Sequence, residues 1–241
     1  MVIKTNNLRK VYKDVVAVDN LNLEINDGEL FALLGVNGAG KTTTIKMLST
    51  LVKPTSGDAT ICGYSILKDK NEIKNLIDVS FQETSIARRL TVEENINFYA
   101  RLSGFDKEAT QKIKNDIINT FGLEQVKSKQ ASKLSGGYQR KLSIALSLIS
   151  GPKILFMDEP TLGLDVIARR ELWQTISLLK NKMTIILTTH YMEEAEALAD
   201  RIGIMKDGRL LFVGTKQELF NATSKDSVEN AFIELVTGGT H

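Results

Sequence analysis

The sequence contains little of what marks several protein classes. Its 241 residues include 1 cysteine and 3 prolines. A lone cysteine, Cys62, cannot form an internal disulfide, which fits a reducing cytosol, and we interpret it as a small packed residue. So few prolines exclude a collagen-like or proline-rich chain. With 42% hydrophobic and 25% charged residues, the composition is that of a folded globular domain.

Long apolar runs and an excess of one charge are also missing. The longest apolar runs, such as Ile154 to Met157, have the length of a strand, whereas a membrane span needs about 18 residues. Residues 1–10 lack the charged and apolar regions of a secretory signal, so we expect none. Lys plus Arg number 31 and Asp plus Glu 29, a net charge of +2. This balance excludes a polybasic tail, and we expect no nucleic-acid partner.

Apolar runs of strand length predict a sheet that is covered on both faces. Residues 29–34 contain the run Leu30 to Leu34, which is apolar throughout and is typical of a parallel strand beneath helices. Similar runs predict three further strands, over residues 76–80, 153–157 and 184–187.

Two shorter patterns predict hairpins. Leu21, Leu23 and Ile25 alternate with polar residues and predict a half-buried strand, which a turn at Asn26-Asp27-Gly28 would join to the next strand. Near the C-terminus, strands over residues 202–205 and 209–213 would turn through Asp207-Gly208.

Capping signals and apolar periodicity predict helices in the middle of the chain. Thr91 and Glu94 form a capping box that begins a helix ending near Ser103. A second helix carries an apolar stripe and ends at Gly122. The segment from about residue 84 to 150 is therefore interpreted as a helical subdomain. It would be inserted into an α/β core that consists of about residues 1–83 and 151–241, and the whole chain would form a single domain.

A glycine-rich loop lies between the strand at 29–34 and a helix predicted over residues 43–51. Glycines let backbone N–H groups surround phosphates, and the helix N-terminus adds its positive end. Lys41 can reach the β- and γ-phosphates, and the Thr42 hydroxyl can bind Mg²⁺. A plain glycine turn is the alternative. The predicted nucleotide-binding residues are Gly35, Val36, Asn37, Gly38, Ala39, Gly40, Lys41, Thr42 and Thr43.

Two further motifs carry chemistry. The apolar strand at 153–157 presents Asp158 and Glu159 at its carboxyl end, where Asp158 suits Mg²⁺ and Glu159 can orient or deprotonate a water. Solvated loop acids are the alternative. Ser135, Gly136 and Gly137 begin a helix and form a second anion site, although Ser135 could be only an N-cap.

With these motifs in this order, residues 2–236 resemble the ATP-binding subunit of an ATP-binding cassette (ABC) transporter. This family has an α/β P-loop core, an inserted helical subdomain and an N-terminal antiparallel β subdomain. Gln82 matches the family's Q-loop, Asp165 its D-loop and His190 its switch histidine, while Tyr12 stands where an aromatic ring stacks on adenine. For each of these, an ordinary surface or structural role is the alternative.

The resemblance implies an ATPase with ATP and Mg²⁺ as cofactors. The implied metal ligands are Thr42, Gln82 and Asp158, with Glu159 as the catalytic base and His190 as a donor to the γ-phosphate. The second histidine, His241, is interpreted as nonfunctional.

The resemblance also implies partners. Two subunits, identical or different, would pair head to tail, so that each nucleotide lies between one Lys41 loop and residues 135–137 of the other chain, with Asp165 facing the partner. A separate transmembrane permease subunit would dock around residues 86–99 at the cytoplasmic face of the membrane. Residues 169–173, 191–196 and 231–235 resemble the bacterial branch that exports drugs, lipids or polymers. Two positions depart from the pattern, since Tyr138 replaces the usual Gln and Val166 the usual Pro.

Other ATPase classes fit the sequence less well. A DNA-repair ATPase of this superfamily would carry a long coiled coil between Lys41 and Leu134, where no heptad run occurs. A ribosome-associated translation ATPase would hold two cassettes in one chain. A P-loop kinase or GTPase would not need the site at Ser135.

Overall fold

The computed structural model describes residues 1–238, whose strands form two sheets; His241 lies outside the described residues. The strands are β1 (Ile3–Tyr12), β2 (Val15–Leu21), β3 (Glu24–Ile25), β4 (Leu30–Leu34), β5 (Ser56–Ile61), β6 (Tyr64–Ser65), β7 (Ile77–Ser80), β8 (Ile154–Asp158), β9 (Thr184–Thr189), β10 (Arg201–Lys206) and β11 (Arg209–Gly214). The antiparallel sheet has the order β2-β1-β5-β6, with β3 also paired to β1. The larger sheet has the order β11-β10-β4-β9-β8-β7 and is parallel except for β11.

The C-terminal hairpin is confirmed, whereas the N-terminal one is wrong. Asp207 and Gly208, both with positive φ, join β10 to β11. The predicted strand from Leu21 to Ile25 is interrupted, because β2 ends at Leu21 and Ile25 pairs with Ile3 in the antiparallel sheet. The turn at 26–28 therefore connects two different sheets rather than two paired strands, and β4 pairs with the distant strands β9 and β10.

Nine α-helices lie within the described residues. They are α1 (Lys41–Leu48), α2 (Lys70–Lys74), α3 (Val92–Leu102), α4 (Lys107–Phe121), α5 (Gly136–Ser147), α6 (Val166–Ser177), α7 (Met192–Leu198), α8 (Lys216–Thr223) and α9 (Val228–Thr237). The capping box of Thr91 and Glu94 begins α3, and Gly122 ends α4 in the left-handed conformation, as predicted. Helix α1 begins two residues earlier than expected, because Lys41 and Thr42 already form its first turn.

The strand β4 shows how both faces of the larger sheet are covered. Leu30, Ala32 and Leu34 belong to a hydrophobic cluster with α5, α6 and α7. Phe31 and Leu33 belong to a second cluster, which the antiparallel sheet and α1 complete. All five residues are buried, so the prediction of a strand covered on both faces is confirmed.

Residues 84–150 contain α3, α4 and α5, which pack on one another. Helix α5 also packs against α6 and β7, so it connects this helical region to the larger sheet. Within residues 1–238, no helix combines the length and the apolar character that a membrane crossing requires.

Candidate nucleotide-binding site

Strand order brings the predicted site residues to one edge of the larger sheet. Strand β9 lies between β4 and β8, and all three are parallel. The carboxyl end of β4 leads directly into Gly35, that of β9 into His190 and that of β8 into Glu159. Ligands of open α/β sheets bind at this edge.

The loop from Gly35 to Thr42 holds the Lys41 amine close to its own backbone. Lys41 Nζ donates hydrogen bonds to the carbonyl oxygens of Gly35 at 2.7 Å and Val36 at 3.2 Å. Gly40 has a φ of 105°, and a Cβ atom there would lie 2.4 Å from the Ala17 carbonyl oxygen. The backbone path that ends in Lys41 therefore requires glycine at position 40.

Three charged or titratable side chains form a chain of contacts, of which Lys41 and Glu159 are buried and His190 is partly exposed. Glu159 Oε1 lies 3.2 Å from Lys41 Nζ, and Glu159 Oε2 lies 2.7 Å from His190 Nδ1. Glu159 is 8% exposed and Lys41 5% exposed, so little solvent screens their attraction. Glu159 also has a φ of 50°, in the left-handed region that glutamate rarely adopts.

Asp158 occupies a site that suits a hard cation. Thr42 Oγ1 donates to Asp158 Oδ1 at 3.0 Å, and Thr188 Oγ1 donates to the same oxygen at 2.6 Å. Thr188 Oγ1 in turn accepts a hydrogen bond from the Glu159 amide at 3.1 Å. A hydroxyl and a carboxylate this close are the oxygen ligands that Mg²⁺ uses, so the donor set fits this ion.

Most of the predicted site residues line one cleft of about 520 Å³. Tyr12 lies on one wall, 43% exposed, and Lys10 Nζ lies 4.9 Å from the centroid of its ring. Gln82 lines this cleft and also a neighbouring cavity that contains Thr42 and Asp158. The complete lining of the cleft is Tyr12, Val15, Val16, Ala17, Asn37, Gly38, Ala39, Gly40, Lys41, Thr42, Thr43, Gln82, Glu159, Leu162 and His190.

Sequence reasoning missed four residues of this cleft. Val15, Val16 and Ala17 contribute an apolar wall beside Tyr12, and Leu162 lies near Glu159. The first three belong to an exposed part of β2, whose sequence gives no motif. Only the pairing of β1 with β2, which sets Tyr12 opposite Val15, could have indicated them.

Ser135, Gly136 and Gly137 lie apart from the residues that line the Lys41 cleft. The Ser135 hydroxyl caps α5 by accepting from the Tyr138 amide, and a cavity of about 280 Å³ beside it is lined by Gly137 and Asp165. Asp165 Oδ1 caps α6, because it accepts hydrogen bonds from the amides of Ile167 and Ala168, each at 2.9 Å. Within residues 1–238, the two predicted anion sites therefore do not meet.

Gly137 has a packing role that the sequence did not predict. A Cβ atom at Gly137 would lie 3.0 Å from the Ala168 Cβ on α6, which is tighter than ordinary contact. A Cβ atom at Gly136 would lie 3.6 Å from Leu164 Cδ2, an ordinary van der Waals distance. Gly137 therefore allows the starts of α5 and α6 to approach closely, whereas Gly136 has room for a side chain.

Two buried charged residues beside the site were also missed. Arg140 on α5 is 4% exposed, and burial lowers the pKa of its guanidinium to about 10. Glu194 on α7 is fully buried; it accepts a hydrogen bond from Trp173 Nε1 at 3.0 Å, and burial raises its pKa. Neither position stands out in the sequence, because their burial depends on contacts between distant segments. Trp173, which could have been only a core aromatic, is partly buried against the core and also donates this bond.

The fold and the site together define a P-loop nucleotide-binding domain. A family model described as "ABC transporter" matches residues 18–162. The chain therefore belongs to the ABC transporter family.

Two curated relatives are much longer than this chain. The human phospholipid-transporting ATPase ABCA3 is 43% identical over 217 residues, a match that covers 88% of this chain and 13% of that protein. The probable multidrug ABC transporter ATP-binding protein YbhF of Escherichia coli (strain K12) is 37% identical over 241 residues, covering 98% of this chain and 42% of that protein.

Two solved structures share the fold. The ATP-binding subunit of an ABC transporter has a TM-score of 0.85 and 26% identity, covering 98% of this chain and 99% of that one. The ATP-binding cassette MJ0796, a dimer in a post-hydrolysis state with ADP and Pi, has a TM-score of 0.78 and 28% identity, covering 88% of this chain and 98% of that one. The predicted fold class is confirmed.

Proposed function

We propose that this chain is the ATP-binding and ATP-hydrolysing subunit that energises a separate membrane-spanning permease, in the direction of export. The observation that carries the proposal is the contact chain from Lys41 through Glu159 to His190, three residues that line one cleft. A buried base, a cation and a potential donor this close together are the groups that hydrolysis of a phosphoanhydride requires.

Each residue has a role that follows from its position. The amides of the loop and the Lys41 amine bind the β- and γ-phosphates, and the Tyr12 ring stacks on adenine at the far wall of the cleft. Glu159 accepts a proton from the attacking water, and His190 orients Glu159 and donates to the γ-phosphate. Thr42, Asp158 and Gln82 would hold Mg²⁺, which would neutralise charge on the phosphate oxygens.

Hydrolysis by this arrangement needs a second subunit. Ser135 and Gly137 lie outside the cleft, at the start of a helix, where backbone amides can bind an anion. In a head-to-tail dimer, this helix start covers the γ-phosphate bound by the Lys41 loop of the other subunit. The solved relative MJ0796 is described as a dimer, which supports this arrangement for the present chain.

A membrane partner is supported by the names of the relatives. ABCA3 is named a phospholipid transporter and YbhF a probable multidrug transporter protein, so we assign this chain to a branch that exports drugs, lipids or polymers. A solved ATP-binding subunit is matched over 99% of its length, which supports a separate subunit of this size at the cytoplasmic face of the membrane.

The permease docks on the start of the helical subdomain, at residues 86–99. The buried Asn95 fixes the segment before α3, because its amide bonds both the N–H and the carbonyl of Ala87. Tyr99 Oη donates to the Ser85 carbonyl at 2.7 Å. This segment begins four residues after Gln82 and leaves Phe98 50% exposed, so it can transmit the state of the cleft to an apolar partner surface.

Phosphate release by the purified chain with Mg-ATP tests the enzymatic part, with Lys41→Ala as the inactive comparison. Co-purification with the polytopic membrane protein from a neighbouring reading frame tests the transporter part. If DNA or RNA stimulates turnover and no membrane protein co-purifies, the transporter assignment is wrong.

A further inference from the structure

One side chain of α5 contacts two catalytic segments that are distant in sequence. The Arg140 guanidinium donates hydrogen bonds to five backbone carbonyl oxygens. They belong to Phe81 and Gln82 (3.2 Å) after β7, and to Asp158 (3.1 Å), Glu159 (3.2 Å) and Pro160 (2.7 Å) at the end of β8.

These carbonyl groups need a donor from outside the sheet. Strands β7 and β8 are parallel, and their pairing ends at Ser80 and Met157. Beyond this point β7 and β8 no longer pair with each other, although Asp158 still pairs with Thr188 of β9, and the chain continues into Gln82 on one side and Glu159 on the other. A buried carbonyl without a donor is costly, and Arg140 supplies the missing donors.

Arginine is the residue type that fits this position. Its planar guanidinium presents five N–H groups in a fixed fork, whereas lysine has three rotatable donors at one point and methionine has none. Burial lowers the pKa of Arg140 only to about 10, so the side chain is a cation at neutral pH and keeps all its donors. The negative charges of Glu194 and Asp158 raise that pKa in part, and so help to keep the buried cation charged.

We infer that Arg140 is a positioning residue, which fixes the backbone of Gln82 and Glu159 relative to the helix that begins at Ser135. This inference deepens the proposed function, on which its kinetic part rests. Because one planar guanidinium holds both segments, a displacement of α5 would move the backbone of Gln82 and that of Glu159 together. The start of α5 is the surface that would bind the nucleotide of the second subunit. A phosphate that contacts this helix start would therefore affect Glu159 of the same chain through Arg140.

The test compares Arg140→Lys and Arg140→Met with the matched control Arg201→Lys. Arg201 also bonds a backbone carbonyl, that of Glu24 at 3.1 Å, but it lies on β10, three positions from β8 in the same sheet. Amide hydrogen exchange of the nucleotide-free chain measures the backbone of residues 80–83 and 157–161. Steady-state hydrolysis gives kcat and KM for ATP.

In Arg140→Lys we expect exchange in both segments to accelerate by about tenfold or more, while the buried part of α5 from Leu142 to Ser147 keeps its protection. We expect kcat to fall by about tenfold and KM to change by less than about threefold, since ground-state binding depends on the Lys41 loop. Arg140→Met should show both effects more strongly. In Arg201→Lys, exchange in both segments should be the same as in the original chain. Its kcat should stay within about twofold of the original value.

Unchanged exchange in both segments of the two Arg140 variants would overturn the inference. Acceleration spread equally over the whole chain would also overturn it, because Arg140 would then only stabilise the fold. If Arg140→Met does not fold, Arg140→Lys decides the result. If the original chain does not hydrolyse ATP, the proposed function fails, but the exchange experiment still tests the positioning by Arg140.

Discussion

Glu159 and Lys41, which both line the cleft, form an ion pair of 3.2 Å with both side chains buried. The same Lys41 amine must bind the phosphates of a nucleotide in the proposed function. In that function Glu159 and the nucleotide would compete for one cation, and nucleotide binding would leave the carboxylate to His190, which it already contacts, and to the attacking water.

This competition predicts the effect of Glu159→Gln on nucleotide affinity. A neutral amide attracts Lys41 less strongly and does not repel the phosphates, so we expect a nonhydrolysable ATP analogue to bind the monomer about 3–10-fold more tightly. Calorimetric titration at a concentration where the chain is monomeric measures this. Glu196→Gln, at an exposed position of α7, is the control with unchanged affinity. Equal or weaker binding by Glu159→Gln would show that no such competition exists.

Stacking of adenine on Tyr12 predicts a simple substitution series. Tyr12→Ala removes the flat face and should weaken ATP binding by about 1–2 kcal/mol, whereas Tyr12→Phe keeps the ring and should bind as the original chain does. Fluorescence titration of the three forms measures the difference. If all three bind ATP equally, Tyr12 is only a surface residue.

The head-to-tail dimer predicts an effect of charge at the start of α5. Glu159→Gln should stall hydrolysis with ATP bound and hold the dimer closed, so the apparent size should increase when ATP is added. Adding Gly136→Asp places a negative charge against the partner's phosphate and should abolish this dimer. Binding of ATP to the monomer through Lys41 should remain.

Gly136 is a better position for this test than Gly137. A side chain at Gly136 meets only ordinary contacts, whereas one at Gly137 presses against Ala168 and would disturb the packing of α5 on α6. Gly137→Ala, which adds bulk without charge, is the packing control. An ATP-dependent dimer of the Gly136→Asp double variant would refute the head-to-tail model. A monomeric Glu159→Gln chain would instead count against a homodimer.

The docking surface predicts that transport and hydrolysis can be separated. Arg88 and Arg89 are exposed immediately before α3, and neither belongs to the nucleotide cleft. Arg88→Glu and Arg89→Glu should reduce transport in vesicles that contain the membrane partner by about tenfold, while basal ATPase activity of the isolated chain stays within about twofold. Glu94 is unsuitable, because its side chain completes the capping box of α3. Lys112→Glu, exposed on α4, is the matched control, and normal transport by both arginine variants would place the coupling elsewhere.

Burial of Glu194 predicts a pH dependence of stability. Burial raises its pKa above the usual value of 4.5, so ionising this carboxyl opposes folding. The stabilisation is complete below the unfolded pKa and is lost as pH rises through the folded pKa. Glu194→Gln keeps an oxygen that can accept from Trp173 and removes the ionisation. Its free energy of unfolding should therefore increasingly exceed that of the original chain as pH rises from 4 to 8, as urea unfolding would show. Glu193→Gln, exposed on the same helix, should show no such trend.

Local patterns predicted those elements whose cause is local. The apolar run at Leu30–Leu34 and the capping box at Thr91 depend on neighbouring residues, and both predictions are confirmed. The strand from Leu21 to Ile25 was wrong because its partner is chosen at long range, where Ile25 pairs with Ile3. Alternation of polar and apolar residues shows that a segment is extended, but not which sheet it joins.

The same distinction separates the predicted site residues from the missed ones. Lys41 begins the helix after the loop that follows β4, and Asp158 is the last residue of β8, so a motif beside a strand is enough to place them. Arg140 and Thr188 act through contacts with segments far away in sequence, and Arg140 reaches Gln82 across 58 positions. Such contacts arise only when α5, β8 and β9 pack together, and the residue types alone do not indicate them.

At position 159, the left-handed backbone favours one kind of residue for stability, whereas the proposed hydrolysis requires glutamate. Holding a side chain with a Cβ atom in this conformation costs on the order of 1–2 kcal/mol, a cost that glycine avoids and asparagine reduces. A library randomised at position 159 and screened for thermal resistance should be enriched in those two residues. The same library screened for ATP turnover should return glutamate. Directed evolution toward either property would thus lead to different amino acids at this position.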